Sequence, residues 1–382
     1  MNDKLRMNRR NFVKTTVAGV SGILGGVVLR GANITQASQS AQASLQYRTL
    51  GNTGMKLTAV GIGAMRTSDP AVIRQAVEKG VNYIDTARGY MGGRNEEIVG
   101  RAIGDIRKQV HITTKIKSNS RSQMERDIDA SLQALGTDYV DGLLLHGFRS
   151  RSDIHNEDGR EVLQKAREQG KARAVGFSTH SNMATLIREA AEDNFFDLVI
   201  AAYNFKHPDD LTEAIKEGSE KGLGIIAMKT QAGGYEGQAT EHINPHQAAL
   251  KWVLSNEGVT STIPSMVSFQ QVEENVQVMG SAFGLQDRKM LDTYGNAIDS
   301  KLCRLCGECL PQCPKGVQVN DINRCVMYAD MYRDISLAVE NYNELPASRN
   351  LSQCADCTDC IIDCRYGLNV AENIRRAGEL FA

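Results

Sequence analysis

Between Leu57 and Ser265 the chain alternates short apolar runs with longer stretches in which apolar residues return every three or four positions. The runs read TAVGIG, VNYIDTA, VHITTKI, YVDGLLLH, ARAVGFST, LVIAAYN, LGIIAMK and VTSTIPS. Each is short and almost continuously apolar, the pattern of a strand covered on both faces. The segments between them, such as Ala71 to Lys79, Arg121 to Leu135, Asp209 to Lys221 and His246 to Ser255, carry the periodicity of amphipathic helices. Regular alternation of the two implies a parallel sheet with crossover helices, and eight units imply closure into a (β/α)8 barrel. Ahead of the barrel, YRTLGNTGMKL reads as a hairpin with turn chemistry at Gly51-Asn52 and Thr53-Gly54, placed to plug the barrel bottom.

Three successive strands end on polar residues that burial of apolar surface does not explain. VNYIDTA ends near Asp85, with Tyr90 in the loop behind it; VHITTKI ends near Lys115; YVDGLLLH ends on His146. A carboxylate, a phenol, an ammonium and an imidazole at one mouth of a barrel are the parts of an acid/base site. Gly61-Ile62-Gly63 is not a dinucleotide fingerprint, because the sixth position of that motif is Arg66.

Length changes this picture. A barrel takes about 250 residues, and the chain has 382, leaving room for a leader and a second folded unit. The pattern divides it into residues 1–43, a barrel over 44–284, and a connector helix from about Leu285 to Leu302 that leads into a cysteine-bearing module over 285–382. Charge adds little: 44 basic and 45 acidic residues are scattered along the chain, which points away from a nucleic-acid partner.

The leader is basic up to Arg10 and weakly apolar and glycine-rich from Thr15 to Leu29. It resembles a twin-arginine export signal, with the pair at Arg9-Arg10, Phe12 and Lys14 behind it, and Asn8 where Ser or Thr is usual. Cleavage after Ala41-Gln42-Ala43 or near Thr35-Gln36-Ala37 would release a mature protein with no stable membrane span, exported folded to the periplasm or its equivalent. An uncleaved anchor and a disordered tail are the competing readings; the run falls short of the about 20 residues needed to span.

From Tyr47 to about Gly280 the chain resembles the aldo/keto reductase family, on YRTLGNTGMKL, DTARGYMGGRNEEIVGRAI, TTKI, LLLH and VGFST. The resemblance implies that Tyr90 gives a proton to a carbonyl oxygen, that Lys115 stabilises the phenolate, that Asp85 holds Lys115 charged, and that His146 orients the carbonyl. It also implies a nicotinamide, NAD or NADP, held in part by Ser178, Ser265, Gln271 and Asn275. In the family a lysine and an arginine often pair with the NADP 2′-phosphate where Ser265 and Gln271 stand here, and Ile200, Met228 and Thr179 replace a glutamine, an aromatic residue and an asparagine. Those departures remove the usual cause of a preference for NADP, and an exported protein meets little free nicotinamide.

Eight of the nine cysteines fall in two matched runs, Cys303, Cys306, Cys309 and Cys313 before Pro314, then Cys354, Cys357, Cys360 and Cys364. This is the spacing of ferredoxins with two 4Fe-4S clusters, in which the fourth cysteine of each run serves the other cluster. Cys303, Cys306, Cys309 and Cys364 would hold one cluster; Cys354, Cys357, Cys360 and Cys313 the other. Disulfides suit an exported location and zinc suits paired C-x-x-C, but zinc does not call for the third and fourth cysteines at these offsets. Between the runs, Ile322, Val326, Tyr328, Met331, Ile335 and Val339 are spaced to share one helical face, which favours a mainly helical ferredoxin-like domain; Cys325 reads as a buried small hydrophobe.

Barrel and cysteine module together resemble iron-sulfur-containing aldo/keto reductases. One reading is therefore an exported oxidoreductase that interconverts a small carbonyl and an alcohol, its clusters exchanging electrons with a redox protein partner. The other is an electron-transfer protein whose barrel is a binding or docking module without chemistry.

Overall fold

The computed structural model describes residues 45–233, 244–357 and 360–381, so the stretch read as an export signal lies outside the described residues. Strands β1 (Tyr47–Thr49) and β2 (Lys56–Thr58) form an antiparallel hairpin with Arg48 opposite Leu57. The turn between them packs on the N-terminal end of a barrel strand: Asn52 N–H donates to the Gly222 carbonyl at 2.9 Å, and Leu50 is buried beside Gly224. The hairpin thus seals the end of the barrel opposite the polar strand ends. Arg48 fastens it further, donating to the carbonyls of Leu254 at 2.7 Å and Val259 at 2.6 Å, at and beyond the C-terminal end of the Pro245–Ser255 helix.

The barrel strands are β3 (Ile62–Gly63), β4 (Tyr83–Asp85), β5 (His111–Lys117), β6 (Val140–Phe148), β7 (Ala172–Thr179), β8 (Leu198–Ala202), β9 (Gly224–Met228) and β10 (Ser261–Thr262), parallel and in sequential order. All eight apolar runs of the sequence form them. Parallel bridges Val60 to Thr262 and Gly63 to Ser265 join the first strand to the last and close the ring. Gly63 is needed at this seam, since a Cβ there would stand 2.5 Å from the Ile263 carbonyl oxygen. The helices Pro70–Glu78, Arg121–Leu135, Asp209–Glu220 and Pro245–Ser255 fall within a residue of the periodic segments. Side-chain caps set three of these starts, Asp69 before Pro70, Ser120 before Arg121 and Asn244 before Pro245.

The C-terminal segment belongs to the same compact unit as the barrel. Helix Leu285–Ile298 lies on helix Pro245–Ser255, with Lys251 bonded to Asp287 at 3.0 Å. Helices Val319–Asp330, Ile335–Asn343 and Val370–Phe381 pack on one another and build a small core from Val317, Ile322, Val326 and Tyr342, against which Cys309, Cys313, Cys354, Cys360 and Cys364 are laid. Among the described residues no helix is long and apolar enough to cross a membrane.

The segment between the cysteine runs departs from the single helical face read in the sequence. Its helix stops at Asp330, Arg333 takes a left-handed backbone conformation with φ of 53°, and a new helix starts at Ile335 behind the Asp334 cap. The face divides accordingly. Ile322 and Val326 point into the cysteine core, Tyr328 and Met331 join a second core with Met290, Leu291 and Tyr294, and Ile335 is exposed. Cys325 is fully buried, as its small apolar character predicts.

Candidate active site

Alternation along a strand puts Thr113 and Lys115 of β5 on one face, and register sets Thr113 beside Asp85 at the end of β4. Lys115 is almost completely buried, and its ammonium is held by three oxygens: Asp85 Oδ2 at 2.7 Å, the Thr86 carbonyl at 2.8 Å and Tyr90 Oη at 3.4 Å. The other carboxylate oxygen, Oδ1, accepts from Thr113 Oγ1 at 2.7 Å, which in turn is bonded to the Tyr83 hydroxyl at 2.8 Å. Each polar side chain in this hydrogen-bonded series from Tyr83 to Lys115 has a partner, which fixes the Asp85 and Lys115 side chains. His146, near the end of β6, meets the Tyr90 ring edge to face, with centroids 5.8 Å apart. Asp85, Tyr90 and His146 line one cavity of about 490 Å³, with Lys115 directly beneath its floor.

Burial, followed by the Asp85 carboxylate, pushes the Tyr90 phenol well above the usual tyrosine range. Lys115 lies against the phenol oxygen with Asp85 paired to its ammonium, and the phenol rests protonated, poised as a donor. Burial lowers the pKa of Lys115 and raises that of Asp85, and each offsets the effect on the other. Burial, then the Lys115 and Arg324 cations, holds His146 well below the ordinary histidine range, so it is a neutral hydrogen-bonding imidazole near neutrality.

The remaining wall comes from two sources. The loop after β10 contributes Ser265, and the helix Phe269–Val276 behind it contributes Gln271 and Asn275, whereas Ile200 is buried behind the wall and Met228 reaches it. The helix amides are already engaged: Gln271 Oε1 accepts from Val267 N–H at 2.8 Å, and Asn275 Oδ1 from Gln231 at 3.0 Å. Glu274 is the charged group this helix adds to the wall, so no cation of this stretch pairs with a 2′-phosphate. Ser178 lies behind the wall residues. It is fully buried with its Oγ accepting from Gly147 N–H at 3.1 Å, and the neighbouring wall residues are His180 and Ser181.

The second source is the Val319–Asp330 helix, which enters the mouth and brings Asp321, Arg324 and Tyr328 to the cavity. Lys229, just past β9, donates to the Tyr328 hydroxyl. Arg149 bonds to Asp321, Asn320 donates to Ser181 Oγ at 2.7 Å, Arg66 bonds to Asp334 at 3.1 Å and Lys117 to Glu344 at 2.9 Å. Burial would raise the Tyr328 phenol, but the Lys229 and Arg324 cations outweigh it and bring the group below the ordinary tyrosine range. Sequence reasoning missed His180, Lys229, Arg324 and Tyr328 as site residues. His180 directly follows VGFST and Lys229 directly follows the seventh strand, so strand-end position could have found them; Tyr328 was read as one apolar position of a helix.

All nine cysteines are free thiols. Burial, the Leu305 N–H, and then Cys309, Cys306 and Cys364 act on the Cys303 thiol, which ends at about 12. The Cys354 thiol is raised by burial and then by Cys357, Cys313 and Cys360. Cys303 thus feels Cys309, Cys306 and Cys364, and Cys354 feels Cys357, Cys313 and Cys360. Among the described residues no three His, Cys, Asp or Glu converge as ligands of a single metal ion. A cubane places its four thiolates on four separate irons, a wider set than one ion takes, and the all-thiol donor set suits iron-sulfur chemistry.

Comparison with known proteins bears on the barrel. The family model described as the aldo/keto reductase family matches residues 59–241. The chain is 28% identical over 282 residues to L-galactose dehydrogenase of Arabidopsis thaliana, covering 61% of this chain and 87% of that protein. It is also 28% identical over 259 residues to methylglyoxal reductase DkgB of Escherichia coli O157:H7, covering 62% of this chain and 92% of that one. Among solved structures, an aldo-keto reductase from Klebsiella pneumoniae in complex with NADPH superposes with a TM-score of 0.55 at 24% identity, over 65% of this chain and 95% of that one.

Proposed function

Starting from a barrel that is aldo/keto reductase in family and fold, with the site of an oxidoreductase, we propose that this chain is an exported iron-sulfur enzyme interconverting a carbonyl and an alcohol. The observation that carries the reading is the Lys115 ammonium seated between Asp85 Oδ2 at 2.7 Å and Tyr90 Oη at 3.4 Å under an open cavity that His146 also lines. A substrate carbonyl oxygen sits between the Tyr90 hydroxyl and the His146 ring. Reduction also needs a hydrogen and two electrons at the carbon, which a hydride donor such as a bound nicotinamide would supply; Tyr90 delivers its proton to the oxygen in the same event, and the ammonium behind it stabilises the phenolate until solvent reprotonates it. Neutral His146 orients the oxygen without drawing the proton itself. Cys303, Cys306, Cys309 and Cys364 would hold one 4Fe-4S cluster and Cys354, Cys357, Cys360 and Cys313 the second, and the clusters, when bound, supply electrons singly in exchange with a redox protein partner.

A nicotinamide fits less well. The stretch that would hold its adenosine end offers amides already bonded within the protein and an acid in place of a cation. This supports NAD over NADP if either binds, and it is the observation that favours the second reading, an electron carrier with a non-catalytic barrel. The twin-arginine signal over 1–43 places the mature protein in the periplasm or its equivalent under this proposal, with cofactors loaded before export.

Anaerobic purification with iron, sulfide and bound-nucleotide analysis tests the cofactor assignment. Full-length protein with iron and acid-labile sulfide in equal amounts is expected, and zinc or paired disulfides in their place would refute the clusters. The Tyr90→Phe variant tests the chemistry: loss of carbonyl turnover with the cluster spectrum intact supports the enzyme, and a wild-type rate leaves the electron carrier.

A further inference from the structure

Three cations of the cavity wall, Arg149, Arg324 and Lys229, gather about the carboxylate of Asp321: Arg149 and Arg324 bond to it, and Lys229 donates to the Tyr328 hydroxyl. Among the described residues Lys229 makes no ion pair with a carboxylate. Of the other acids lining the cavity, Asp85 is taken by Lys115, Glu344 by Lys117 at the exposed rim beside Glu340, and Glu274 accepts from the amides of Asn244 and Gln270. The Arg324 Nε is buried with no hydrogen-bond partner. A buried donor left without an acceptor is destabilising, more so for a charged group, so an arrangement of this kind is expected to take an acceptor from outside the chain.

Backbone geometry supports the same conclusion. Lys229 holds a left-handed conformation with φ of 55°, unusual for a residue with a side chain. Asn204 fixes that conformation by donating to the Lys229 carbonyl at 3.1 Å. The consequence is that the ammonium turns beneath the helix Val319–Asp330, 4.4 Å from the Tyr328 ring centroid, instead of reaching into solvent. Arg324 also lies close enough to influence both Tyr90 and His146, so cations and acid/base pair serve one space.

We propose that Lys229 and Arg324, with the Tyr328 hydroxyl that they flank, receive an anionic group carried by the substrate whose carbonyl sits on Tyr90 and His146. The inference rests on the reductase reading for the carbonyl and extends it to a substrate class, oxo acids and the corresponding hydroxy acids. It also assigns the C-terminal helix a direct part in substrate binding: barrel and cysteine module form a composite site, and neither supplies all of it.

The test is a binding measurement that needs no electron donor. Full-length protein purified with its cofactors is titrated by calorimetry with pyruvate, with acetone, which lacks the carboxylate, and with NADH. Pyruvate is expected to bind at least about tenfold more tightly than acetone, and Lys229→Met to remove that advantage while leaving acetone unchanged. Equal binding of pyruvate and acetone by the unmodified protein overturns the proposal without any variant. So does a Lys229→Met protein that weakens NADH and not pyruvate, which would assign these cations to a dinucleotide pyrophosphate. A protein that discriminates in this way yet turns over no carbonyl keeps the anion subsite and loses the reductase, so the two failures are separable.

Discussion

Two phenol-ammonium pairs face each other across one cavity, and they behave in opposite ways. Tyr90 and Lys115 belong wholly to the barrel; Tyr328 comes from the C-terminal segment and meets Lys229 at the end of β9. Burial raises both phenols, yet Tyr90 remains far above its ordinary range while Tyr328 falls below it. The difference lies in the carboxylate. Lys115 is neutralised by Asp85, whose negative charge also acts on Tyr90, whereas Lys229 has no such partner among the described residues and Arg324 adds a second cation beside Tyr328. A lysine near a tyrosine therefore lowers that tyrosine's proton affinity where no acid offsets it, and not where one does.

The largest effect that could break this contrast is catalytic. Tyr90→Phe is expected to lower carbonyl turnover by about 10²–10⁴-fold, while Tyr328→Phe changes it by less than about tenfold and acts on substrate affinity; similar losses in steady-state kinetics would mean that the two phenols share one role. Next comes stability. Lys115→Met strands the buried Asp85 carboxylate and is expected to cost about 3–5 kcal/mol in denaturant unfolding, whereas Lys229→Met strands no acid and costs about 1 kcal/mol. Equal costs would show that Lys229 has an acidic partner after all.

Two smaller effects sharpen the comparison. Ultraviolet titration of tyrosinate should lose its earliest buried transition in Tyr328→Phe and keep it in Tyr90→Phe. For His146, burial and the surrounding cations depress the folded-state pKa, so below about pH 6.5 the unfolded chain binds a proton that the folded one refuses. Stability contributed by this group is therefore present above that pH and lost as pH falls from there towards the folded-state pKa. The fall in unfolding free energy between neutral and mildly acidic buffer should be shallower in His146→Asn, though not absent, because His180 is depressed by the same causes, burial foremost.

Local pattern determined most of the barrel and its four acid/base positions. Eight apolar runs became eight strands because residues buried on both faces need no partner from elsewhere to declare themselves. Asp85, Lys115 and His146 were legible for the converse reason: each is polar at the end of such a run. What only tertiary structure decided was the other half of the cavity. Tyr328 sits at an ordinary apolar position of an amphipathic helix, and its meaning depends on Lys229, 99 residues away along the chain. The same holds for the proton affinity of Tyr90, set by which neighbour satisfies Lys115. Periodicity records which face of an element is buried, but a charge acts through space on whatever folding brings beside it, and no short window of sequence contains that distance.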